Sequence, residues 1–437
     1  MFLNPDRGWS ARVDRAFDTR PRDGASPGSV WLPRRDVEDQ FSDLLFQDGV
    51  HICVDGPSGT GKTSLVLTQL SKEKKKVIKV QLTNSMKWTD LCREIIGDLS
   101  RGDSSFSLEA LIGLNPELKV GYGRKSKVDS LTRWKAVGSQ INEMDLCRAV
   151  QSTKSILFID DFEKADESIV TKIADVCKLM TQSFNGKIII VGTDNIYFRI
   201  MSQEPALESR LAEISVGALP SIDDGWDFLC LGFDSLGITH PGKIYNERSL
   251  SGPANHKLRD CKAAIHDAVA SLPKALNEFG RRVCLNKGDR VQSISLPDLM
   301  QEAKDTFFKK LREYAKNFPE LQQMFAESPE IRILLRAIYD RSVGSILHRE
   351  DLYRDVVSLG LNRDQFEQAL LELVKEKFIT QTGRSGETLF ISRLYMAHIF
   401  GVCAKKYEQY GLDPKIYGLS GQLSLPLKSD ISNSERN

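Results

Sequence analysis

The stretch VDGPSGTGKTSL, residues 54–65, decides the fold. It contains the pattern Gly-x-x-x-x-Gly-Lys-Ser/Thr. The preceding run GVHICVD, residues 49–55, predicts a short buried strand, and the following run TSLVLTQL, residues 63–70, has helical periodicity. A glycine-rich loop between a strand and a helix predicts a phosphate-binding site, because backbone N–H groups and the start of the helix point toward an anion.

The residue types in this loop suit a nucleoside triphosphate. We expect Lys62 to reach the β- and γ-phosphates and the Thr63 hydroxyl to ligate Mg²⁺. A chance glycine-rich turn is the alternative, and the strand–loop–helix setting argues against it. ATP and Mg²⁺ are therefore the expected cofactors. The other residues expected to contact the nucleotide are Gly56, Pro57, Ser58, Gly59, Thr60, Gly61 and Ser64.

A second strand is predicted in SILFIDDFEKAD, residues 155–166, where four apolar residues precede two aspartates. Hydrolysis of a nucleotide requires a carboxylate for the metal and a group that orients the attacking water. We assign Asp160 to Mg²⁺ and Asp161 to orienting or deprotonating the water, with Glu163 as the alternative for that second role. An acidic strand end can also simply cap the next helix, but its position downstream of the phosphate loop favours the functional interpretation.

A third strand, KIIIVGTDN at 187–195, leads into ALESRLAEISVGAL at 206–219. In this order, the phosphate loop, FIDD, GTDN and SRL resemble the AAA+ superfamily. The resemblance is closest to bacterial branches near transposon target-selection ATPases and archaeal replication initiators, and to the related STAND signalling ATPases. It covers residues 30 to about 315 and implies an α/β fold with a parallel P-loop sheet and a helical lid.

The resemblance implies a role for a polar residue after the third strand. Thr193 stands where the family keeps a sensor between the metal aspartate and the γ-phosphate. Asn195 is the alternative, because Asp194 splits the usual Thr/Ser–Asn pair.

Two arginines have roles implied by the same resemblance. Arg210 stands where the family places an arginine finger that reaches the nucleotide of a neighbouring subunit, which implies a homo-oligomer. A surface ion pair with Glu208 or Glu213 is the alternative. Arg35, in VWLPRRDVEDQF at 30–41, corresponds to an arginine near the nucleotide, although a solvated helix start would explain it as well.

Beyond residue 219 the pattern becomes helical, with helices predicted near 257–271, 274–285 and 296–317. In SLPKALNEFG, residues 271–280, Lys274 occupies the place where many family members carry the arginine of Gly-x-Pro-Arg, which senses the γ-phosphate. Lysine lacks the bidentate fork of arginine. Lys274 is therefore either a phosphate contact or a solvated residue in the first helical turn.

The C-terminal region, residues 318–410, predicts three helices and then a strand–turn–strand, the order of a winged helix. Such domains often place the third helix in DNA. That helix mixes charges on its outward face, which offers no basic stripe for phosphates, so DNA contact, with Arg384 in the wing, and protein docking both stay open. The mixed charges are Asp364, Glu367, Glu372 and Glu376 against Arg363, Lys375 and Lys377.

Composition narrows the class of protein. The formal net charge is +1, and the eight cysteines form no CxxC pair, so neither a zinc site nor a disulfide framework is indicated. No apolar run approaches the roughly 20 residues needed to span a bilayer, and the start MFLNPDRGWS lacks the apolar core of a signal peptide. We expect a cytoplasmic protein with no membrane partner.

These patterns predict five regions. They are a loop-like N-terminal extension at 1–29, an AAA+-like ATPase core at 30–219, a helical lid at 220–317, the winged-helix domain at 318–410 and a flexible tail at 411–437. Within the core, the basic and aromatic stretch at 115–134 is interpreted as a mobile loop, with a nucleic-acid contact as the alternative.

Two functions are compatible with this organisation. The first is a regulatory ATPase that assembles on DNA during replication, transposition or anti-phage defence, and recruits another enzyme. The second is a STAND-like ATPase that activates a separate effector protein without binding DNA.

Overall fold

A computed structural model describes most of the chain. The basic and aromatic stretch at 115–134, Asp194, Arg384 and the tail at 411–437 lie outside the described residues. The described ranges are 5–21, 30–102, 141–193, 195–244, 253–288, 291–341, 346–382, 388–391 and 393–410.

A five-stranded parallel sheet in the order β2-β3-β4-β1-β5 forms the centre of the core. Every residue of β1, β3 and β4 is buried, as expected for parallel strands that are covered on both faces. The predicted α/β fold with a parallel P-loop sheet is confirmed. The strands are β1 (His51–Asp55), β2 (Val77–Gln81), β3 (Ile156–Asp160), β4 (Ile188–Val191) and β5 (Leu211–Ser215).

Helices cover both faces of this sheet. Alternate residues of β3 serve the two layers: Phe158 packs in a cluster with Phe41 and Leu65, while Leu157 packs in a second cluster with Ile173. A continuous apolar run thus supplies two cores. After α1 (Pro5–Ala16), the helices of this part are α2 (Arg35–Phe46), α3 (Lys62–Lys72), α4 (Trp88–Gly102), α5 (Glu143–Ser152), α6 (Glu167–Leu179) and α7 (Ile196–Gln203).

A helical layer follows the sheet, and it contains the three helices predicted there. Ser221 caps the first of its helices by accepting a hydrogen bond from the backbone N–H of Asp224 at 3.0 Å. We refer to this layer as the lid. Its helices are α8 (Ile222–Ser235), α9 (Pro241–Ile244), α10 (Pro253–Val269), α11 (Pro273–Asn286) and α12 (Leu296–Asn317).

The N-terminal segment packs on the lid, and the expectation of a loop-like start is wrong for α1. Phe17 is 1% exposed, and a methyl group added at Gly232 or Gly280 would come within 2.3 Å of its ring. Asp14 pairs with Arg281 at 2.6 Å. The surface that holds this segment lies more than two hundred residues away in the sequence, so local patterns give no sign of it.

The C-terminal region contains the predicted three helices and hairpin, together with a strand and two helices, one at each end of the region, that the patterns did not indicate. Its three strands form an antiparallel sheet in the order β6-β8-β7. The elements are α13 (Pro319–Glu327), α14 (Pro329–Arg341), β6 (Ile346–His348), α15 (Arg349–Ser358), α16 (Arg363–Lys375), β7 (Ile379–Thr382), β8 (Thr388–Ile391) and α17 (Leu394–Tyr410).

No helix within the described ranges is both long and apolar enough to cross a membrane.

Candidate nucleotide-binding site

The phosphate loop runs from the end of β1 to the start of α3. Its glycines at 56, 59 and 61 have φ values of 148°, 87° and 89°, a region that side chains disfavour. A Cβ at Gly56 would lie 2.2 Å from the carbonyl oxygen of Val216, so only glycine fits there. The glycine pattern therefore has a steric cause: the loop must turn tightly against the end of β5.

Lys62 lies at the centre of the loop. Its Nζ donates to the carbonyl oxygens of Gly56 at 2.8 Å and Pro57 at 2.9 Å. Burial lowers its pKa, and the nearby carboxylates of Glu163, Asp55, Asp160 and Asp161 oppose that shift. The ammonium group is thus fixed where an incoming phosphate would replace carbonyl oxygens as its partner.

Thr63 and Asp160 meet although 97 positions separate them in the chain. The Thr63 hydroxyl donates to Asp160 Oδ1 at 2.9 Å, and Lys79 Nζ lies 3.3 Å from Asp160 Oδ2. A hydroxyl and a carboxylate are hard oxygen ligands of the kind that Mg²⁺ prefers, with phosphate and water oxygens completing its coordination. The pair therefore fits the predicted magnesium ion.

The two candidate catalytic carboxylates have different environments. Burial favours the neutral form of Asp161, but hydrogen bonds from Gln81 at 2.8 Å and Lys164 at 2.6 Å outweigh it and hold the Asp161 pKa below its ordinary value. Glu163 Oε2 accepts from the backbone N–H of Thr193 at 3.2 Å, and burial raises the Glu163 pKa. Asp161 is thus a well-partnered anion, and Glu163 is the stronger base of the two.

A cavity of about 280 Å³ lies between the C-terminal edge of the sheet, the lid and the N-terminal segment. It brings together most of the predicted site. The predicted residues that line it are Ser58, Gly59, Gly61, Lys62, Thr63, Ser64, Asp160, Asp161, Glu163, Thr193 and Lys274. The other predicted loop residues, Gly56, Pro57 and Thr60, do not line it and offer carbonyl oxygens to Lys62 and Arg34.

Arg34, rather than the predicted Arg35, lines this cavity. The guanidinium of Arg34 donates to the carbonyl oxygens of Thr60 at 2.5 Å and Gly217 at 3.0 Å, and burial lowers its pKa to about 10. Arg35 begins α2 and is exposed. The sequence places two arginines side by side, and only the fold distinguishes them.

The lid and the strand β4 each contribute one predicted contact. The backbone N–H of Lys274 donates to the carbonyl oxygen of Gly59 at 3.1 Å, so the first turn of α11 touches the phosphate loop. Thr193 lines the cavity after β4, whereas Asn195 precedes α7 with a left-handed φ of 52° and does not line it.

Arg210 lies at the opposite edge of the sheet from the phosphate loop. It precedes β5, and its carbonyl oxygen accepts from the N–H of His51, the first residue of β1. A five-residue strand is roughly 13 Å long, so Arg210 is remote from the cavity of its own chain. Glu213, one of its two possible ion-pair partners, has a pKa raised by burial, a shift that an adjacent guanidinium would oppose.

Asp55, to which the sequence patterns assign no role, lies beneath the loop. Its carboxyl group accepts from the backbone N–H of Gly56 at 3.0 Å and of Ile196 at 2.9 Å. Burial and the nearby Glu213 raise its pKa to about 7. Asp55 thus joins the phosphate loop to the start of α7. Its place at the last position of β1 is the only sequence signal for it.

Comparison with known proteins finds one family model and several solved structures that are similar to this chain. Residues 47–200 match a family model described as an AAA domain. A Walker-type ATPase of Pyrococcus abyssi is 16% identical, with 88% of this chain and 99% of that chain covered and a TM-score of 0.48. The Aeropyrum pernix ORC1 protein, solved in complex with DNA, is 12% identical, with 92% and 98% covered and a TM-score of 0.39.

The Thermotoga maritima RuvB Holliday junction branch migration motor is 13% identical, with 87% of this chain and 95% of that chain covered and a TM-score of 0.36. No curated protein matches the sequence. The loop geometry and the β2-β3-β4-β1-β5 order show the P-loop NTPase fold, and residues 47–200 of this sheet domain are similar to the AAA-domain family.

Proposed function

We propose that this chain is an ATP-binding and ATP-hydrolysing regulatory ATPase of the cytoplasm, whose nucleotide state controls its self-assembly and its engagement of DNA or a protein. The contact of Thr63 with Asp160 at 2.9 Å carries the proposal, because the two residues proposed to hold Mg²⁺ meet in the cavity that Lys62 also lines. The lid closes that cavity through Lys274, so the same site can report its occupancy to the rest of the chain.

Each residue has a role in this proposal. The loop N–H groups and Lys62 bind the phosphates, while Arg34 holds the loop against the end of β5. Thr63 and Asp160 would hold a magnesium ion, which would supply positive charge to the phosphates. Glu163, as the stronger base, accepts a proton from the attacking water, and Thr193 positions Glu163 through its backbone N–H.

Part of the cavity lining suits the nucleoside. Apolar side chains from the N-terminal segment and the lid line it, which is the composition expected for a base pocket. The apolar residues there are Val30, Trp31, Leu32, Leu219, Phe228 and Pro273.

Assembly follows in this proposal from the position of Arg210. Because its guanidinium lies at the far edge of the sheet, it is available to the nucleotide of a neighbouring copy, where its planar fork would meet phosphate oxygens. ATP would then join two subunits, and hydrolysis would release them. Replication, transposition and anti-phage defence are the settings in which such an assembly on DNA would act, through a recruited enzyme.

The second candidate, a STAND-like ATPase that activates an effector protein, is favoured by charge pairing on the proposed winged helix. Arg363 pairs with Glu350 at 3.2 Å, and Arg349 pairs with Glu367. These ion pairs neutralise basic groups that a DNA backbone would need. The face of α16 therefore suits a protein at least as well as a nucleic acid.

Calorimetry with ATP and Mg²⁺ tests the binding site first. Lys62→Ala should weaken binding on the order of 100-fold, because the charge-assisted hydrogen bonds to phosphate are lost. Lys75→Ala, which removes a lysine beyond the far end of α3, is the matched control and should bind normally. Equal ATP affinities in the two variants would show that the proposed binding site is wrong.

Sedimentation of the full chain separates the two candidates. Assembly and hydrolysis that increase with duplex DNA support the DNA-dependent ATPase. Assembly with ATP alone, unchanged by DNA, supports the effector-activating one. A chain that stays monomeric with ATP in both conditions contradicts nucleotide-controlled assembly.

A further inference from the structure

The turn between α10 and α11 has an unusual backbone. Ala270 and Ser271 have φ values of 56° and 48°, and both are at least 96% buried. Left-handed backbone is unfavourable for residues with a Cβ, so it persists only where surrounding contacts hold it. We call residues 270–271 the lid turn. If these contacts were released, residues 270–271 would return to the backbone angles that alanine and serine ordinarily prefer.

The lid turn is tied to the nucleotide cavity on one side. The carbonyl oxygen of Ser271 accepts from the N–H of Leu219, which lines the cavity after β5. Three residues further on, the N–H of Lys274 donates to Gly59 in the phosphate loop at 3.1 Å. A nucleotide that repositions this loop therefore acts on the backbone that leaves the lid turn.

On its other side the lid turn is tied to the C-terminal region through His266. Ser271 Oγ lies 2.8 Å from His266 Nδ1. The His266 ring meets His398 of α17 edge-on at 4.9 Å, and His398 Nε2 lies 2.9 Å from the carbonyl oxygen of His266. Since a carbonyl oxygen only accepts, His398 donates this hydrogen bond.

Two tyrosines of the C-terminal region bind the same last turn of α10. Tyr339 of α14 donates to Asp267 at 2.9 Å, and Tyr395 of α17 donates to the carbonyl oxygen of Ala268 at 2.6 Å. The last turn of α10 thus carries a dense hydrogen-bonded contact between the lid and the C-terminal region. It lies directly beside the left-handed residues.

We infer that the lid turn couples occupancy of the phosphate loop to the docking of α17 on the lid, with the Ser271–His266 hydrogen bond as the connecting contact. This inference rests on the proposed function and deepens it, because it identifies how the nucleotide state reaches the C-terminal region. Bound ATP holds Gly59 and Lys274, the left-handed turn is retained, and α17 stays docked. Loss of the nucleotide lets the turn relax and frees α17.

Amide hydrogen exchange of residues 394–404 in the full chain tests this coupling. The probe is a non-hydrolysable ATP analogue with Mg²⁺, and its affinity is measured separately by calorimetry. In the unmodified chain the analogue should slow exchange in these residues by about fivefold or more. In Ser271→Ala the analogue should bind within about twofold of normal affinity, while the slowing is lost.

Ser235→Ala is the matched control. It removes a hydroxyl from the same lid, where Ser235 Oγ donates to the carbonyl oxygen of Gly232 within its own helix, and it should keep the full nucleotide-linked slowing. His266→Gln removes the other partner of the connecting contact and should behave like Ser271→Ala. It also provides a second measurement if Ser271→Ala lowers the thermal midpoint.

The outcomes separate this inference from the proposed function. Binding of the analogue without any change in α17 overturns the coupling and leaves the nucleotide site intact. Normal slowing in both Ser271→Ala and His266→Gln overturns the role of their contact. Absence of binding in the unmodified chain overturns the proposed function, and the coupling with it.

Discussion

Asp161 and Glu163 lie within three positions of Asp160, yet their surroundings give them different chemistry. Asp161 is held by Gln81 and Lys164, whereas Glu163 is desolvated and accepts from the backbone N–H of Thr193. We expect Glu163→Gln to bind ATP within about twofold of normal and to lower turnover by about 100-fold or more, as loss of a general base does.

Asp161→Asn is the matched comparison. It keeps the shape of the side chain and its contact with Gln81 while removing the charge that pairs with Lys164. Steady-state hydrolysis of both variants decides the assignment. A larger loss in Asp161→Asn than in Glu163→Gln would show that Asp161, the first choice from the sequence, deprotonates the water.

His51 makes the stability of β1 depend on pH. Its Nδ1 accepts from the N–H of Ile188 at 3.2 Å, so Nε2 carries the proton and donates to the carbonyl oxygen of Cys177 at 2.8 Å. Burial lowers the His51 pKa from 6.5 to about 4. Because the unfolded chain binds more protons between these values, stability falls as the pH drops below 6.5.

We expect this effect to cost about 2 kcal/mol of the free energy of opening of β1 between pH 7 and pH 5. Hydrogen exchange of the β1 amides, corrected for intrinsic rates, measures it in the natural chain and in His51→Asn. The free energy of opening should be lower in His51→Asn than in the natural chain at pH 7, and this difference should shrink by that amount at pH 5. Asp55, whose pKa of about 7 shifts stability in the opposite direction, is present in both chains and cancels. A difference between the two chains that does not change with pH would contradict the prediction.

At the level of single elements, the N-terminal helix depends on two glycines of the lid. Gly280→Ala places a methyl group 2.3 Å from the Phe17 ring, which should displace α1 and cost about 1–3 kcal/mol of stability, as overpacking does. Nucleotide affinity should fall as well, because the residues that follow α1 line the nucleotide cavity. Thermal unfolding and calorimetry measure the two effects.

Gly8→Ala is the control for this substitution. Gly8 belongs to α1 itself, and nothing lies within 4 Å of a methyl group added there. The change should stabilise the helix by up to about 1 kcal/mol. Destabilisation of similar size by both variants would mean that the Phe17 contact is not the cause.

These elements also show what a sequence can predict. The strands β1, β3 and β4 could be predicted because each contains a run of three or four consecutive apolar residues, and the phosphate loop because its glycines are required by backbone angles. The contact of Arg34 with the phosphate loop could not be predicted, because it depends on how α2 lies against β5. The packing of Phe17 could not be predicted either, because its partners belong to helices that are distant in the sequence.

At the level of the whole molecule, Arg210 should act between subunits. Arg210→Ala should leave ATP affinity unchanged and lower hydrolysis by about 100-fold or more in the assembled state only. Mixing it with Lys62→Ala gives the decisive test. Where an intact Arg210 from one variant faces an intact Lys62 from the other, partial activity should return.

Neither variant alone can form such an interface, so each serves as the control for the other. Recovery in the mixture, measured as phosphate release at a concentration that permits assembly, is the expected result. An equal loss of activity in dilute monomer and assembly, with no recovery on mixing, would show that Arg210 works within its own chain.

The position of Phe17 between Gly232 and Gly280 has a consequence for biosynthesis. During translation the chain emerges from its N-terminus, so α1 leaves the ribosome long before either glycine does. Its apolar side therefore stays uncovered, or is shielded by a chaperone, until residue 280 has been made. A ribosome-bound fragment that stops before residue 280 would be unable to close the nucleotide cavity, however well its sheet has formed.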